Sequence, residues 1–294
     1  MMTRRILPAS FHIAAYSDLD PLPERRPLWG DYWLKENLRH EIRDLHFSVL
    51  DSDSAVLIHL FGKPLESLPE DSYKILWNHS HPDWVTPEVL SKYDKIYCIS
   101  KPFIARIEQM GFEAEWLMAP TSAQPVDSPK AFDLVFVGNA RRDGTERAIE
   151  WLSGAPYHIG VWGLGWEGRI PATWIRGKFF ENKALGKLYS SAKIVINDHH
   201  EDMRREGFIN PRILDAMASG SLVISDYTTS MEEVFEDAVP VFNTRGELHS
   251  LVERYLADDS ERERLAVKGR QIARKFSYAA AAARIVEHVK STLC

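Results

Sequence analysis

A dense group of charged side chains stands in the second half of the chain, directly after a short apolar strand. Residues 198–207, which are predicted to form a loop, hold two histidines, four acids and two arginines. A helix is predicted next, because Asn210 is a favourable N-cap residue, Pro211 suits the first helical position and Gly220 suits the residue after the end. The first N–H groups of a helix and its positive dipole end attract anions. The pattern therefore predicts an anion site at Asn210, to which Arg212 would add a charge-assisted hydrogen bond.

Two other interpretations of this segment stay open. The helix has one apolar face, and its other face, which holds Arg212, Asp215, Ala216 and Ser219, would simply meet water in an ordinary capped helix. The run 199–202, His-His-Glu-Asp, has residue types that bind metals, but adjacent side chains of an extended chain point apart. We therefore expect hydrogen bonds from these side chains and no metal.

Glycines also follow two of the other predicted strands. Gly138, Asn139 and Arg141 come at the end of the strand 132–138, where backbone N–H groups and an arginine would suit a phosphate. An ordinary turn from strand to helix would use the same glycine. Residues 163–168 match G-x-G-x-x-G, but a proline follows three residues later and no helix begins there. We expect this second loop to pass close to a neighbour and not to bind a dinucleotide.

Length and composition narrow the class of protein. The 294 residues suffice for roughly two domains with a large core, and 45% of them are hydrophobic. A net charge of −6, with acids and bases mixed along the chain, argues against general nucleic-acid binding. Cys98 and Cys294 are expected as a buried and a terminal thiol in a reducing compartment. No apolar run approaches the ~20 residues of a membrane span. We expect a cytoplasmic protein, with peripheral membrane contact left open.

Predicted strands and helices alternate through both halves of the chain. A proline-rich segment at 119–131 interrupts the alternation, which then restarts with the strand 132–138 and a helix at 145–152. This pattern predicts an α/β fold of two doubly wound, Rossmann-like domains that face a cleft. The expected boundaries are a first domain at 1–120, a linker at 121–131, a second domain at 132–276 and a last helix at 277–294.

The second half of the chain resembles the glycosyltransferase group 1 C-terminal domain, in particular the CgeB-like branch related to spore maturation proteins, which has the GT-B fold. The resemblance covers residues 132–287. It rests on FVGNAR at 136–141, YSSAKIVINDH at 189–199, DMR at 202–204, EGF at 206–208, Asn210, Arg212, DAMASG at 215–220 and VISD at 223–226. The first half is similar to the N-terminal domains joined to such units, through WGDY at 29–32 and WNHSHPD at 77–83.

This resemblance implies a nucleotide-sugar-dependent glycosyltransferase whose first domain serves the acceptor and whose second domain grips the donor. It implies that Arg141 and the segment 207–212 hold the diphosphate, that Asp215 binds the ribose hydroxyls, and that the loop at Lys178 lies beside the base. The last helix, 278–293, would cross back to the N-terminal domain. The donor-binding residues expected in total are Gly138, Asn139, Arg141, Lys178, Asp198, Glu206, Gly207, Asn210, Arg212 and Asp215.

The acidic residues depart from the family pattern at one position. Many group 1 enzymes carry two glutamates separated by seven residues, and the first contacts the donor sugar. Here Asp215 takes the second position, Gly207 falls at the first, and Glu206 lies one residue away. A retaining and an inverting outcome are therefore both left open.

Sugar transfer makes two chemical demands on such a chain. The leaving diphosphate needs stabilisation by cations or helix dipoles, which Arg141 and Arg212 are expected to supply with no metal and no cofactor. An inverting enzyme also needs a general base on the acceptor side, for which Asp18, Asp31 and His81 are candidates. Asp31 is preferred because it opens a predicted helix, and the predicted catalytic residues are Asp31 and His81.

Three other functions stay open. A nucleotide-sugar epimerase or hydrolase on the same fold would release nucleotide without an acceptor. A degenerate transferase would bind a nucleotide-sugar or a glycan without turnover, since fold does not guarantee function. An enzyme that adds sugar to nucleic acid would need a basic surface, and the acidic balance argues against one.

Overall fold

The computed structural model describes residues 9–52 and 54–293, which form two compact units. The first unit comprises the chain up to Pro120, Glu206–Phe208 and the residues from Phe276 onward. The second comprises Thr121–Arg205 and Ile209–Lys275. Each unit is built on one sheet of six parallel strands. This confirms the predicted α/β class with two Rossmann-like units.

The first unit begins with alternating strands and helices. They are β1 (Phe11–Ala15), α1 (Gly30–Asp44), β2 (Val49–Leu50), β3 (Val56–Phe61), β4 (Tyr73–Asn78), α2 (Pro87–Leu90), β5 (Lys95–Cys98), α3 (Lys101–Gln109) and β6 (Glu115–Trp116). The strand order is β2-β1-β3-β4-β5-β6, so the chain reverses its direction across the sheet between β1 and β3. The carboxyl ends of these two strands form the topological switch point, where open α/β sheets bind ligands.

The second unit repeats this plan. Its elements are β7 (Phe132–Val137), β8 (Ile159–Trp162), β9 (Ile175–Gly177), α4 (Leu185–Ser190), β10 (Ala192–Asn197), α5 (Glu201–Arg205), α6 (Pro211–Ala218), β11 (Leu222–Asp226), α7 (Met231–Phe235), β12 (Val241–Phe242), α8 (Arg245–Ala257) and α9 (Asp259–Ala273). The strand order is β12-β11-β10-β7-β8-β9. The switch point therefore lies between β7 and β10.

The last helix, α10 (Tyr278–Leu293), has the predicted bounds and belongs to the first unit, where it packs against α1. Its polar contacts are also with that unit. The His288 Nε2 atom lies 3.0 Å from the Tyr73 hydroxyl, and Arg284 donates to the Glu115 carboxylate at 2.9 Å. The apolar side of α10 is buried through Ala281, Ala282, Ile285, Val286 and Val289.

A helix predicted at 145–152 is replaced by a 3-10 helix, Ala148–Leu152. The residues before it are held in another conformation, because the Asp143 carboxylate accepts hydrogen bonds from both the backbone N–H and the hydroxyl of Thr145. Ser153 and Gly154 follow at once, and Gly154 adopts a left-handed φ of 90° that ends the helix. The regular α-helix expected here was wrong.

The charged segment 198–207, predicted as a loop, contains the short helix α5. An ion pair between Glu201 and Arg204, three residues apart at 2.9 Å, supports this single helical turn. The prediction missed α5 because the segment has few apolar residues, and apolar periodicity is the main helix signal.

Three further predictions concern composition. None of the helices within residues 9–52 and 54–293 has the length and apolar character that a membrane crossing requires. Cys98 is buried, as expected, and burial raises the pKa of its thiol to about 12. Cys294 lies outside the described residues.

Candidate functional site

Arg212 lies at the switch point of the second sheet, one residue inside α6. Its Nη1 donates to the Asn197 amide oxygen at 2.8 Å, and its guanidinium lies over the Phe136 ring, 5.1 Å from the centroid. A Cβ atom on Gly138 would come within 2.9 Å of the Arg212 Nη2 atom and 3.1 Å of the Phe136 ring. Residue 138 therefore has to be glycine for the guanidinium to lie against the end of β7.

The start of α6 has the predicted capping. The Asn210 side chain accepts a hydrogen bond from the Arg212 backbone N–H at 3.0 Å, and Pro211 occupies the first turn. The face proposed to be polar is divided in its exposure. Ala216 and Ser219 are 0% and 2% exposed, because α6 packs against α4 and α9 as well as the sheet. Arg212 and Asp215 are partly exposed.

Arg147 is a residue of this site that the sequence did not reveal. Its Nε donates to the Asp198 carboxylate at 2.9 and 3.2 Å, its Nη2 also donates to Asp198, and its Nη1 donates to the Asn139 carbonyl at 2.8 Å. The Ala148 backbone N–H donates to the second Asp198 oxygen at 3.0 Å. Arg147 and Asp198 are 5% and 3% exposed. Asp198 therefore acts here as the counter-ion of a buried arginine.

Positive charge exceeds negative charge around Asp198. Arg147 and Arg212 lie over the same Phe136 ring, and Arg141 comes within 3.7 Å of the Asp198 carboxylate. Burial would raise the pKa of Asp198, but Arg147, the Ala148 N–H and the Arg212 charge hold it below its usual value. Burial, with repulsion from Arg147, lowers the pKa of Arg212. Two guanidinium groups therefore pair with one buried carboxylate and Arg212 contributes a third positive charge, which is an arrangement suited to an anion.

Asp215 lies one turn further along α6 and is partly buried. Its Oδ1 accepts a hydrogen bond from the Thr121 hydroxyl at 2.6 Å. Burial raises the pKa of Asp215 to about 6, although the Thr121 hydrogen bond and the Arg212 charge oppose the shift. A carboxylate with a pKa shifted by burial in a candidate site is a typical feature of functional residues.

Three other predicted donor residues are not part of this arginine cluster. Lys178 is exposed at the end of β9, the edge strand, and β8 separates β9 from β7. Glu206 and Gly207 belong to the first unit, where the Glu206 carboxylate pairs with Arg106 at 2.6 Å and its carbonyl accepts the Ser100 hydroxyl. Gly207 has a left-handed φ of 73°. The cluster in the second unit is therefore built from Gly138, Asn139, Arg141, Arg147, Asp198, Asn210, Arg212 and Asp215.

The glycine-rich loop after β8 confirms the close passage that was predicted for it. A Cβ atom on Gly163 would lie 2.0 Å from the Gly138 carbonyl oxygen, and the Gly163 φ of 152° also disfavours a side chain. The Asn139 amide oxygen accepts the Leu164 N–H at 2.8 Å, and the Trp166 indole donates to the Gly138 carbonyl at 2.9 Å. These glycines let the loop brace the end of β7.

A second polar group lies at the switch point of the first sheet. Asp31 is in the first turn of α1, and its Oδ2 accepts the Ser17 backbone N–H at 2.9 Å just after β1. The Asp31 Oδ1, Ser17 Oγ and His79 Nε2 atoms are buried and have no hydrogen-bond partner among the residues described. Burial lowers the pKa of His79 to about 4, although the Asp31 charge raises it. A carboxylate and a neutral imidazole thus come together at this edge.

His81, the other predicted catalytic residue, has a left-handed φ of 50° and is partly exposed. Its charge lowers the pKa of His79, so the two imidazoles lie near each other. The sequence HSH at 79–81 could not show which histidine is turned toward Asp31. No three His, Cys, Asp or Glu side chains within residues 9–52 and 54–293 are grouped as a metal site would require.

The comparisons with known proteins agree with this architecture. A sucrose-phosphate synthase from Thermosynechococcus elongatus superposes with a TM-score of 0.72 at 12% identity, covering 96% of this chain and 98% of the other. AviGT4, a glycosyltransferase involved in avilamycin A biosynthesis, superposes with a TM-score of 0.72 at 16% identity, covering 96% of this chain and 97% of the other. Anabaena HepE, solved in complex with UDP and glucose, superposes with a TM-score of 0.67 at 11% identity, covering 96% of this chain and 99% of the other. The fold is therefore that of the GT-B glycosyltransferases.

The comparisons by sequence identify a family for this chain. No curated protein matches the chain. A family profile described as glycosyl transferase-like matches residues 141–287, half of the 294-residue chain. The matched segment includes Arg141, Arg147, Asp198, Arg212 and Asp215. The chain belongs to this glycosyl transferase-like family.

Proposed function

We propose that the protein transfers a hexosyl group from a nucleoside-diphosphate sugar to a glycan, lipid or small-molecule acceptor, and that it belongs to the CgeB-like branch of its family. The observation that carries this proposal is the pairing of the Arg141 and Arg147 guanidinium groups with one buried carboxylate, Asp198, to which Arg212 adds a third positive charge. Departure of a nucleoside diphosphate develops negative charge, and preorganised cations and helix N-termini stabilise it. The HepE complex with UDP and glucose supports a nucleotide-sugar donor.

The donor would lie at the switch point of the second sheet. Arg141 and Arg212 would hold the diphosphate together with the N–H groups that begin at Asn210, and Asp215 would accept hydrogen bonds from the ribose. Lys178, at the sheet edge, would lie beside the base. The arginines supply the positive charge that a metal would otherwise bring, so we propose transfer without a metal or a cofactor.

The acceptor would lie at the switch point of the first sheet. Asp31 would take the proton of the attacking hydroxyl, because its Oδ1 is a hydrogen-bond acceptor with no partner among the described residues. His79, neutral at physiological pH, would position that hydroxyl, and His81 would contribute to the same edge. We further propose that the enzyme is cytoplasmic and that it would reach a lipid acceptor through peripheral membrane contact.

A thermal-shift screen tests the donor half of this proposal. The intact protein is heated with UDP, GDP, ADP and dTDP, and with the corresponding nucleotide-sugars, with and without EDTA. Selective binding raises the melting temperature by mass action. We expect one nucleotide class to stabilise the protein in both conditions. Stabilisation by none of these compounds contradicts the proposal, and stabilisation that EDTA abolishes contradicts its metal-independent part.

A further inference from the structure

A cavity of about 280 Å³ lies at the carboxyl edge of the second sheet, where β10, β11 and β12 end. His199 follows β10, Tyr227 follows β11, and Phe242 ends β12. Arg141 and Asp198, which belong to the arginine cluster, also line the cavity. The cavity is therefore continuous with the site proposed for the diphosphate, although it has a different lining.

The charges that line the cavity disfavour a second phosphate. Four carboxylates face only two guanidinium groups: Glu146, Asp198, Glu201 and Asp226 against Arg141 and Arg204. Arg147 offsets Asp198 from outside the lining, and Arg204 is paired with Glu201 at 2.9 Å. An anion would meet a surface with no surplus of positive charge, so the cavity suits a neutral polar group.

His199 gives the cavity a buried side chain whose hydrogen bonding is incomplete. The residue is 1% exposed, its backbone N–H donates to the Asp226 carboxylate at 3.0 Å, and its Nδ1 lies 2.6 Å from Asp226 Oδ1. Since a carboxylate only accepts, Nδ1 carries the hydrogen in this pair. The opposite ring nitrogen, Nε2, has no partner within residues 9–52 and 54–293. The Arg141 Nε atom also has no hydrogen-bond partner among the described residues. The lining thus contains an unpartnered acceptor, His199 Nε2, and an unpartnered donor, Arg141 Nε–H. A hydroxyl group can both donate and accept, so it suits both atoms.

Aromatic side chains complete the lining. Trp151 and Phe242 pack edge to face with centroids 5.9 Å apart, and the Trp151 indole donates to Glu146 at 3.1 Å. The Tyr227 backbone N–H donates to the Phe242 carbonyl at 3.1 Å, which fixes the loop after β11. Such rings offer flat apolar surfaces between the polar groups.

We infer that this cavity holds the hexosyl group of the donor, with His199 and Asp226 as the pair that recognises its hydroxyls. A pyranose ring is neutral, presents hydroxyls that both donate and accept, and has apolar C–H faces, so it matches each property of the lining. The inference rests on the proposed function and adds to it, because it assigns sugar specificity to residues outside the arginine cluster.

The substitution His199→Asn tests the inference, because the asparagine amide can replace Nδ1–H toward Asp226 while Nε2 is removed. Titration calorimetry would compare the wild type and the variant with UDP-glucose and UDP, and with GDP-mannose and GDP. We expect a roughly tenfold loss of affinity for the nucleotide-sugar that the wild type binds, and a change below about twofold for its nucleotide, as one hydrogen bond would give. Glu232→Gln, on an exposed face of α7, is the matched control that should change neither.

Each outcome separates this inference from the proposed function. If the wild type binds none of the nucleotides and nucleotide-sugars of the thermal-shift screen, both fail. If it binds the nucleotide and the nucleotide-sugar equally well, or if His199→Asn weakens both equally, the cavity does not hold the sugar and only this inference fails. Should His199→Asn not fold, Tyr227→Ala removes a lining ring from a partly exposed loop and is expected to show the same selective loss.

Discussion

The switch points of the first and second sheets, referred to as the first edge and the second edge, have the same position in the fold. They hold different side chains and therefore different chemistry. In the second sheet, Arg141 and Arg147 pair with the buried Asp198 carboxylate. Arg212 adds a third guanidinium charge, and its pKa is lowered because burial and Arg147 disfavour that charge. In the first sheet, the Asp31 carboxylate lies near His79, an imidazole whose pKa is held at about 4 by burial. The second sheet gathers guanidinium groups around Asp198, and the first holds buried polar atoms that have no partner among the described residues.

This difference shows how two similar frameworks can divide one reaction. A phosphate can pair with the guanidinium groups of the second edge, and a hydroxyl can donate to the unpartnered Asp31 Oδ1 of the first edge. In each sheet the strands only position the functional side chains. The residues that follow the strand ends determine the chemistry. The four predictions below test whether the two edges are as different as their side chains suggest.

Asp31→Asn is expected to have the largest effect. Loss of a general base lowers kcat by about 10²–10⁴-fold, while donor affinity, set in the second unit, should be unchanged. Loss of the Asp31 charge should also lower the pKa of His79 further, which NMR titration of the imidazole would detect. Asp44→Asn, at the other end of α1, is the control. Turnover at the wild-type rate would remove Asp31 from the catalytic role.

Asp198→Asn should mainly affect stability. It leaves the buried Arg147 guanidinium without its counter-ion, which costs about 3–5 kcal/mol when a buried pair is broken. Because the folded-state pKa of Asp198 lies below its usual value of 3.8, its stabilising contribution is present above that value and is lost as the pH falls through the folded pKa. Urea denaturation at pH 7 and pH 3 should therefore show a smaller difference between variant and wild type at the lower pH.

The control for Asp198→Asn is Asp133→Asn, at the start of β7. Asp133 pairs with Lys193 at 2.8 Å, but both side chains are partly exposed. A pair of this kind contributes about 0–1 kcal/mol. Equal losses for the two variants would show that the arginine cluster does not depend on Asp198.

The sequence predicted the positions of the second edge better than its contacts. The Asn210 cap, the glycine at 138 and the strands on either side of the switch point follow from local rules, and the structure has them. Arg147 and Asp198 form an ion pair although they lie 51 residues apart in the sequence. Spacing rules apply only to residues that are near each other in the chain, so they could not predict this pair. The burial of Ala216 and Ser219 was missed for a similar reason, because tertiary packing of α6 against α4 and α9 is not visible in one helix.

At the first edge the sequence predicted Asp31 but not its neighbours. The position of Asp31 in the first turn of α1 follows from the helix pattern. Its hydrogen bond with Ser17 and its closeness to His79 depend on the chain crossing from β1 to β3 and β4, which brings residues 17, 31 and 79 to one edge. The choice between His79 and His81 turns on the left-handed backbone at His81, and no residue type there predicts it.

Arg212→Ala should weaken binding of the stabilising nucleotide by about 10–100-fold, the value of one charge-assisted contact. It should also lower stability, because Arg212 bonds Asn197 and lies over Phe136. Calorimetry and thermal melting would measure both effects. Arg176→Ala is the matched control, since Arg176 also lies over a ring and bonds a neighbour, but on β9. If both variants lose stability and neither loses nucleotide, the second edge is a structural cluster and the contrast between the edges disappears.

Asp215→Asn should have the smallest effect, and two properties should change in opposite directions. The folded-state pKa of Asp215 is raised to about 6 from its ordinary 3.8, so the folded protein binds the proton more tightly than the unfolded chain does. Stability should therefore fall as the pH rises through this interval, and remain lower above it. The variant lacks the charge and can still accept the Thr121 hydrogen bond, so at pH 7 it should be more stable than the wild type by about 1–3 kcal/mol.

Nucleotide affinity of the Asp215→Asn variant should nevertheless decrease by about tenfold, because an amide is a weaker acceptor for ribose hydroxyls than a carboxylate. Denaturation at pH 4 and pH 7, with calorimetry at pH 7, measures both. A variant that gains stability without losing affinity would leave Asp215 with no part in donor binding, and the second edge would then recognise only the diphosphate.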